Sequence, residues 1–276
     1  MSGPDPQRSA PRYRIAYGSV PKDGGTFTFY RNLRPALAAH GVELLCVTVG
    51  SQQAALVEPA YTDEGCVLLA SGISSVRDQA RAFVDWCEHE RVDIVMAINS
   101  VAILSALPHL PPRVRVVARC ANAFDEGYRV TLAGRERLAR IVALTPRLRD
   151  DLVNDYGVAA DTIALIPNGI DPAPYDSLAD NESRDKRESP GQTPGQPLEL
   201  GFLGRLEHTQ KGVLHLPQIV RTLDAQGVNF RLRIAGKGKH ERELRKRLAA
   251  FTKSGKVQFV GSLPAHRVPG FLASLD

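Results

Sequence analysis

The chain has 276 residues, 43% hydrophobic and 24% charged, which excludes a wholly disordered protein, and no apolar run reaches the ~20 residues a bilayer-spanning helix needs. Four cysteines without a CxxC pair exclude a zinc-ribbon or disulfide framework, and a net charge of +5 suits nucleic acid, an anionic membrane surface or an anionic small substrate equally. The length favours two domains, each able to bury its own core.

The first segment, residues 1–12, is polar and rich in proline, lacks the apolar stretch of a secretory signal and is expected to be disordered; a cytoplasmic location follows as the expectation. Apolar runs of strand length then recur at residues 13–17, 42–49, 66–70, 93–98, 114–118, 141–144 and 163–166. Between them lie amphipathic segments of helical period. Residues 29–40 align Leu33, Ala36 and Leu37 and stop at Gly41, while residues 75–90 align Val76, Ala80, Phe83, Val84 and Cys87. Strands apolar on both faces that alternate with helices predict a parallel sheet covered on both sides. This assigns residues 13–171 to an N-terminal Rossmann-like domain.

Residues 172–197 include "SLADNESRDKRESPGQTPGQP", whose charges and prolines around a single leucine predict a linker. The βα pattern restarts after it, with strands expected at 198–203, 230–235 and 256–260 and helices at 212–226, 239–252 and 264–275. Residues 198–276 are thus expected to be part of a second doubly wound domain. The fold class is α/β throughout.

Ligands of open parallel sheets bind at the carboxyl ends of the strands, where loops and helix N-termini converge. Arg205 follows the strand at 198–203 and Lys211 stands where the next helix is expected to begin. A guanidinium that grips oxygens in pairs, an ammonium and a helix N-terminus together suit a diphosphate. Gly24 and Gly25 follow the first strand, and tandem glycine there allows close approach of a ligand to the backbone. In "RIAGKGKHEREL", Gly236 and Gly238 are followed by Glu241 where a dinucleotide fingerprint has its third glycine, which disfavours NAD. The basic helix behind it has only Phe251 as an aromatic platform, which disfavours nucleic acid. Walker A, GxSxG and HExxH motifs are lacking, and the seven histidines are dispersed along the chain. Asp125 and Glu126 follow the strand at 114–118. Asp125 is the candidate acid or base there.

"LGFLGRLEHTQKGVLHLPQIVRTL", "FRLRIAGKGKHERELRKRL" and "VQFVGSLPAHRVPGFLASLD" resemble successive pieces of the donor-binding domain of retaining glycosyltransferases of family 4, which have the GT-B fold. "IALTPRLRDDLVNDYGVAADTIALIPNGIDPAPYD" is similar to the end of that family's first domain and its connection to the second. The resemblance implies two Rossmann-like domains facing a cleft, a nucleotide-diphosphate sugar as co-substrate, a saccharide, lipid-linked or small-molecule acceptor, no nucleic acid partner, and no metal or other cofactor. Basic residues leave room for a peripheral membrane contact. Carried over by position, Arg205 and Lys211 would meet the donor diphosphate. Gly24 and Gly25 would close over the donor, Val260 and Gly261 would lie near the nucleobase, and Gly236 would join the donor set.

The family's pattern is not matched everywhere. Five residues separate Arg205 from Lys211 where four are more usual, and the first-domain histidine is replaced by Asn99, Ser100, Asn122 and Asp125. The family's glutamate pair, ExxxxxxxE, would fall beyond Asp276, so the catalytic residues are unassigned and a chain truncated within the second domain, inactive by itself, is the expectation. Glu199 and Glu207 have that spacing but bracket a strand, so one lies at its amino end and they are rejected. A nucleotide-sugar epimerase on the same fold and a non-catalytic nucleotide-sugar binding module are the alternatives.

Overall fold

The structure is a computed structural model that describes residues 11–21, 24–50, 62–179 and 195–276, with the backbone alone for 177–179. It divides into two compact units, Met1–Ile170 and Asp171–Asp276. The expected disordered segment lies outside the described residues except for its last two positions, and Arg12 is tied down: its N–H donates to the Gly41 carbonyl.

Unit 1 alternates strands and helices in the order β1 (Tyr13–Gly18), α1 (Gly25–Ala38), β2 (Val42–Val49), β3 (Cys66–Leu69), α2 (Val76–His89), β4 (Ile94–Ala97), α3 (Val101–Ala106), β5 (Arg115–Cys120), α4 (Asp125–Thr131), β6 (Leu138–Ala143), α5 (Pro146–Asn154) and β7 (Ile163–Leu165). All seven strands are parallel, in the order β3-β2-β1-β4-β5-β6-β7. The direction of winding reverses between β1 and β4, which opens a crevice at their carboxyl ends. The Gly24–Gly25 turn follows β1 and so stands at that switch point.

Local chemistry explains the helix starts. Ser75, Ser100 and Thr145 cap α2, α3 and α5 by accepting the N–H groups of Asp78, Ile103 and Leu148. Ser100, one of the polar residues standing where the family pattern has a histidine, therefore has a structural task. Most of the expected face of α2 is observed: Ala80, Phe83 and Cys87 are buried against Ala16, Val47 and Val95 and Val84 packs beside them, but Val76, in the first turn, is exposed. All four cysteines are buried, and burial pushes the Cys87 thiol up to about 12, so it behaves as a small apolar residue.

Unit 2 comprises α6 (Ala173–Ala179), β8 (Leu198–Leu203), α7 (His208–Lys211), α8 (Leu216–Ala225), β9 (Phe230–Ala235), α9 (Glu241–Arg247), α10 (Ala249–Lys253), β10 (Val257–Gly261) and α11 (Val268–Ala273). Its strands form a parallel sheet in the order β10-β9-β8. The core gathers Leu206, Val213, Val220, Phe230, Leu232, Ile234, Leu244 and Leu248.

Two expectations are corrected. Part of the supposed linker is the helix α6, which packs on α11; the Asp171 carboxylate accepts the Ala173 N–H at its start, and that neighbour gives the segment a surface to bury against. The single helix expected at 212–226 is instead a 3-10 turn at Val213–His215 followed by α8, and the four-residue α7 precedes that range. Gly212, at φ 64°, ends α7 in the left-handed conformation, and Pro217 in the first turn of α8 sets a new start. Among the described residues no helix is long and apolar enough to cross a membrane.

Candidate functional site

The loops that leave β8, β9 and β10 are stitched together by their backbones. Gly204 N–H donates to the Ala235 carbonyl, Leu206 N–H to Lys237, and Gly236 N–H to Gly261 at 2.7 Å. Arg205, Gly236, Val260 and Gly261, widely separated in sequence, are thereby brought to one edge of the unit 2 sheet, at the carboxyl ends of its strands. This is the edge at which parallel sheets hold ligands.

The two glycines of "AGKGK" have a packing reason. A Cβ on Gly236 would stand 1.9 Å from the Gly204 carbonyl oxygen, and one on Gly238 would stand 2.4 Å from that of Leu206. They let the β9 loop lie directly on the β8 loop. Gly261, at φ +82°, and Gly24, at φ +143°, differ in that nothing among the described residues lies within 4 Å of a Cβ on either. Gly24 precedes α1, whose first turn has neither an acidic residue nor a side-chain cap. Open space at a positive-φ glycine is what close approach of a ligand to the backbone requires.

Arg205 is exposed at the end of β8 and donates from Nη2 to Gln210 Oε1 at 3.1 Å, with no carboxylate partner among the described residues. Lys211 is likewise exposed and without an ion pair among them. Lys211 lies at the last residue of α7, however, and not at a helix N-terminus as expected. The helix-end contribution of free N–H groups therefore does not act at Lys211, which offers its ammonium alone.

Glu207, excluded above as a catalytic acid, shapes this loop. Its carboxylate accepts the N–H groups of Thr209 and Gln210 at 2.9 Å each and pairs with Lys239 Nζ at 3.2 Å. Those bonds hold Gln210, and through it Arg205, in position. They push the Glu207 carboxyl down to about 2 from the ordinary 4.5, the Gln210 bond contributing most. Because the folded value is the lower one, the cap is fully present above 4.5 and is lost as pH falls through about 2. The amide shifts of Thr209 and Gln210, followed by NMR from neutral pH downward, are expected to titrate near that lower value; a midpoint at 4.5 would mean that the cap does not form. Glu199, its spacing partner, is engaged at the other end of β8 with Arg231 and Arg233.

Three of the histidines expected to be dispersed meet here. His208 Nδ1 accepts the Leu214 N–H and His240 Nδ1 accepts the His208 N–H, while the His215 ring lies 4.9 Å from that of His208. They brace the same loop. Asp125 is exposed in the first turn of α4, where a negative charge complements the helix dipole, and no structural feature singles it out as an acid or base. Sequence reasoning missed Gln210, the Glu207 cap and Arg119. For Glu207 the signal was an acidic residue two positions before Thr209 in a turn.

Comparison with known proteins follows the same two units. Residues 23–174, more than half of the chain, match the family model Glycosyltransferase Family 4, and residues 183–276 match Glycosyl transferases group 1. A 2-deoxystreptamine glucosyltransferase of Streptomyces kanamyceticus is 29% identical over 140 residues, 51% of this chain and 36% of that protein. A putative colanic acid biosynthesis glycosyltransferase, WcaL, of Salmonella typhimurium is 38% identical over 86 residues, 31% of this chain and 21% of that protein. The matches thus span about a third or less of the length of these relatives. The crystal structure of a glycosyltransferase from Rickettsia africae shares the fold at a TM-score of 0.64 and 15% identity, over 93% of this chain and 70% of that one. With its two Rossmann-like parallel sheets of the GT-B class, this chain belongs to Glycosyltransferase Family 4.

Proposed function

We propose that the protein takes part in transfer of a sugar from a nucleotide-diphosphate donor to an acceptor, with retention at the anomeric carbon, and that unit 2 holds the donor. The observation that carries the reading is the pair of exposed cations, Arg205 and Lys211, on a braced loop at the carboxyl end of β8. As the bond to the leaving diphosphate lengthens, negative charge grows on its oxygens. A guanidinium fixed by Gln210 and an adjacent ammonium stabilise that charge more in the transition state than in the ground state. No metal ion is needed for this role. The Val260 and Gly261 loop would lie near the base, and the family resemblance adds Gly24 and Gly25 to the donor-binding residues. Retention and the donor class rest on the family resemblance; a saccharide acceptor is consistent with the names of the relatives.

The test is calorimetric titration with UDP, GDP and ADP, followed by release of nucleoside diphosphate from the matching sugar nucleotides in the presence of candidate acceptors. Binding of one nucleotide that is weakened in Lys211→Ala, together with acceptor-dependent release, is the expected result. Binding without release under any acceptor favours a non-catalytic module, and absence of binding to all three would sink the reading.

A further inference from the structure

Arg119 is the residue before the last of β5, at the carboxyl edge of the unit 1 sheet. Its neighbours Ala118 and Cys120 are buried, which places Arg119 on the other face of the strand. Its guanidinium lies over the Phe29 ring, 4.3 Å from the centroid, and Nη2 donates to Asn168 Oδ1 at 3.0 Å. Nε is buried and has no hydrogen-bond partner among the described residues. Burial shifts the guanidinium below its ordinary pKa, the sign of a cation short of compensation.

Other partly buried arginines of the protein are compensated differently. Arg14 is paired with Glu43 and Glu90, and Arg233, whose Nε likewise lacks a hydrogen bond among the described residues, faces the Glu199 carboxylate at 3.5 Å. Arg137, whose Nε is also buried without a partner among them, donates to the carbonyls of Leu110 and Pro111. Arg119 has one neutral amide and no carboxylate among the described residues. Only Nε is buried, the bond to Asn168 being exposed, so the guanidinium is partly desolvated and open to an anion that would complete it. The segment it touches is fixed from a second side, since Asn32 Nδ2 donates to the Gly169 carbonyl at 3.3 Å. Amide groups, an aromatic wall and an uncompensated guanidinium then stand together at a ligand-binding edge of the sheet.

We propose that Arg119, with Asn168 beside it, binds an oxyanion, a phosphate or carboxylate, carried by the second substrate. The assignment to that substrate rests on the transfer reading given above; the oxyanion site itself does not. Guanidinium groups suit both anions because their N–H donors match paired oxygens. The acceptor would accordingly be a negatively charged molecule rather than a neutral sugar.

The experiment uses the 276-residue chain labelled with 15N, titrated with inorganic phosphate and separately with acetate at constant ionic strength, sodium chloride serving as control. Saturable movement of the Arg119 Nε–H and Asn168 side-chain signals with phosphate or acetate but not chloride is expected. In Arg119→Gln the affinity should fall by about tenfold or more, while UDP still moves the Lys211 and Gly261 amides as before. Absence of saturable movement in the wild-type chain, or unchanged affinity in the variant, overturns the site. If UDP displaces phosphate from Arg119 at the same concentrations that saturate Lys211, the anion is the donor's and the acceptor assignment is overturned. Should Arg119→Gln lose its native amide dispersion, the wild-type titration decides alone. Failure of UDP, GDP and ADP alike to bind, with intact phosphate binding, would remove the transfer reading and leave the oxyanion site standing.

Discussion

Arg205→Ala is expected to weaken binding of the cognate nucleoside diphosphate by roughly tenfold to a hundredfold, the consequence of losing about 1.5 to 3 kcal/mol from charge-assisted hydrogen bonds. Stability should change little, because Arg205 is exposed and makes one side-chain hydrogen bond, to Gln210. Isothermal titration calorimetry and a thermal melt of the same sample separate the two effects. A variant that binds as tightly as wild type would show that the diphosphate sits elsewhere. A variant that loses binding by unfolding would show that the residue acts through the fold.

Gly236→Ala is expected to be the most damaging single methyl group in unit 2. The new Cβ would stand 1.9 Å from the Gly204 carbonyl oxygen, at a backbone φ of +138° that side-chain-bearing residues rarely adopt. Overpacking costs about 1 to 3 kcal/mol and conformational strain about as much again, so a loss of roughly 2 to 6 kcal/mol is anticipated. Relief by opening the β8–β9 loop contact would break the Leu206 to Lys237 hydrogen bond and move Arg205. Urea unfolding followed by a probe in unit 2 should therefore show a lower midpoint, and nucleotide affinity should fall even under conditions where the variant is folded. Gly24→Ala provides the contrast. Nothing among the described residues lies within 4 Å of its Cβ, so backbone strain alone should be felt. Equal stability of Gly236→Ala and wild type would contradict the packing described here.

The sequence was most legible where hydrophobic burial dictates it. The apolar runs Leu198–Leu203 and Phe230–Ala235 are strands over those same residues, because six-residue apolar runs are too short for a typical helix and suit a parallel sheet. The face of α2 was readable from its helical period, the exposed Val76 excepted. Helix boundaries in unit 2 were not. The break at Gly212 depends on Glu207 capping α7 and on one residue adopting φ 64°, both local choices that apolar periodicity does not report. The position of Lys211 went wrong with that boundary. The helix α6 was hidden because its charged surroundings resemble a linker until α11 is there to pack against it.

The site divided along the same line. The placement of Arg205 and Gly24 just after a strand was legible because a cation or tandem glycine there marks the carboxyl edge of a parallel sheet, whereas the place of Lys211 at the end of α7 was not. That Gly236 serves the packing of one loop on another became visible with the three-dimensional structure, since its contact is with the backbone of Gly204, 32 positions away in "LGFLGR". The isolation of Arg119 is also a tertiary fact. In the sequence it is one arginine among many, and its lack of an acidic partner among the described residues depends on which segments of the fold surround it. Composition and period thus determined the class of fold and the edge where ligands gather, because burial of apolar faces is encoded residue by residue. Which charges are paired, which glycines are crowded and which cations remain free was decided by tertiary structure, because each depends on distances between segments that sequence spacing does not fix.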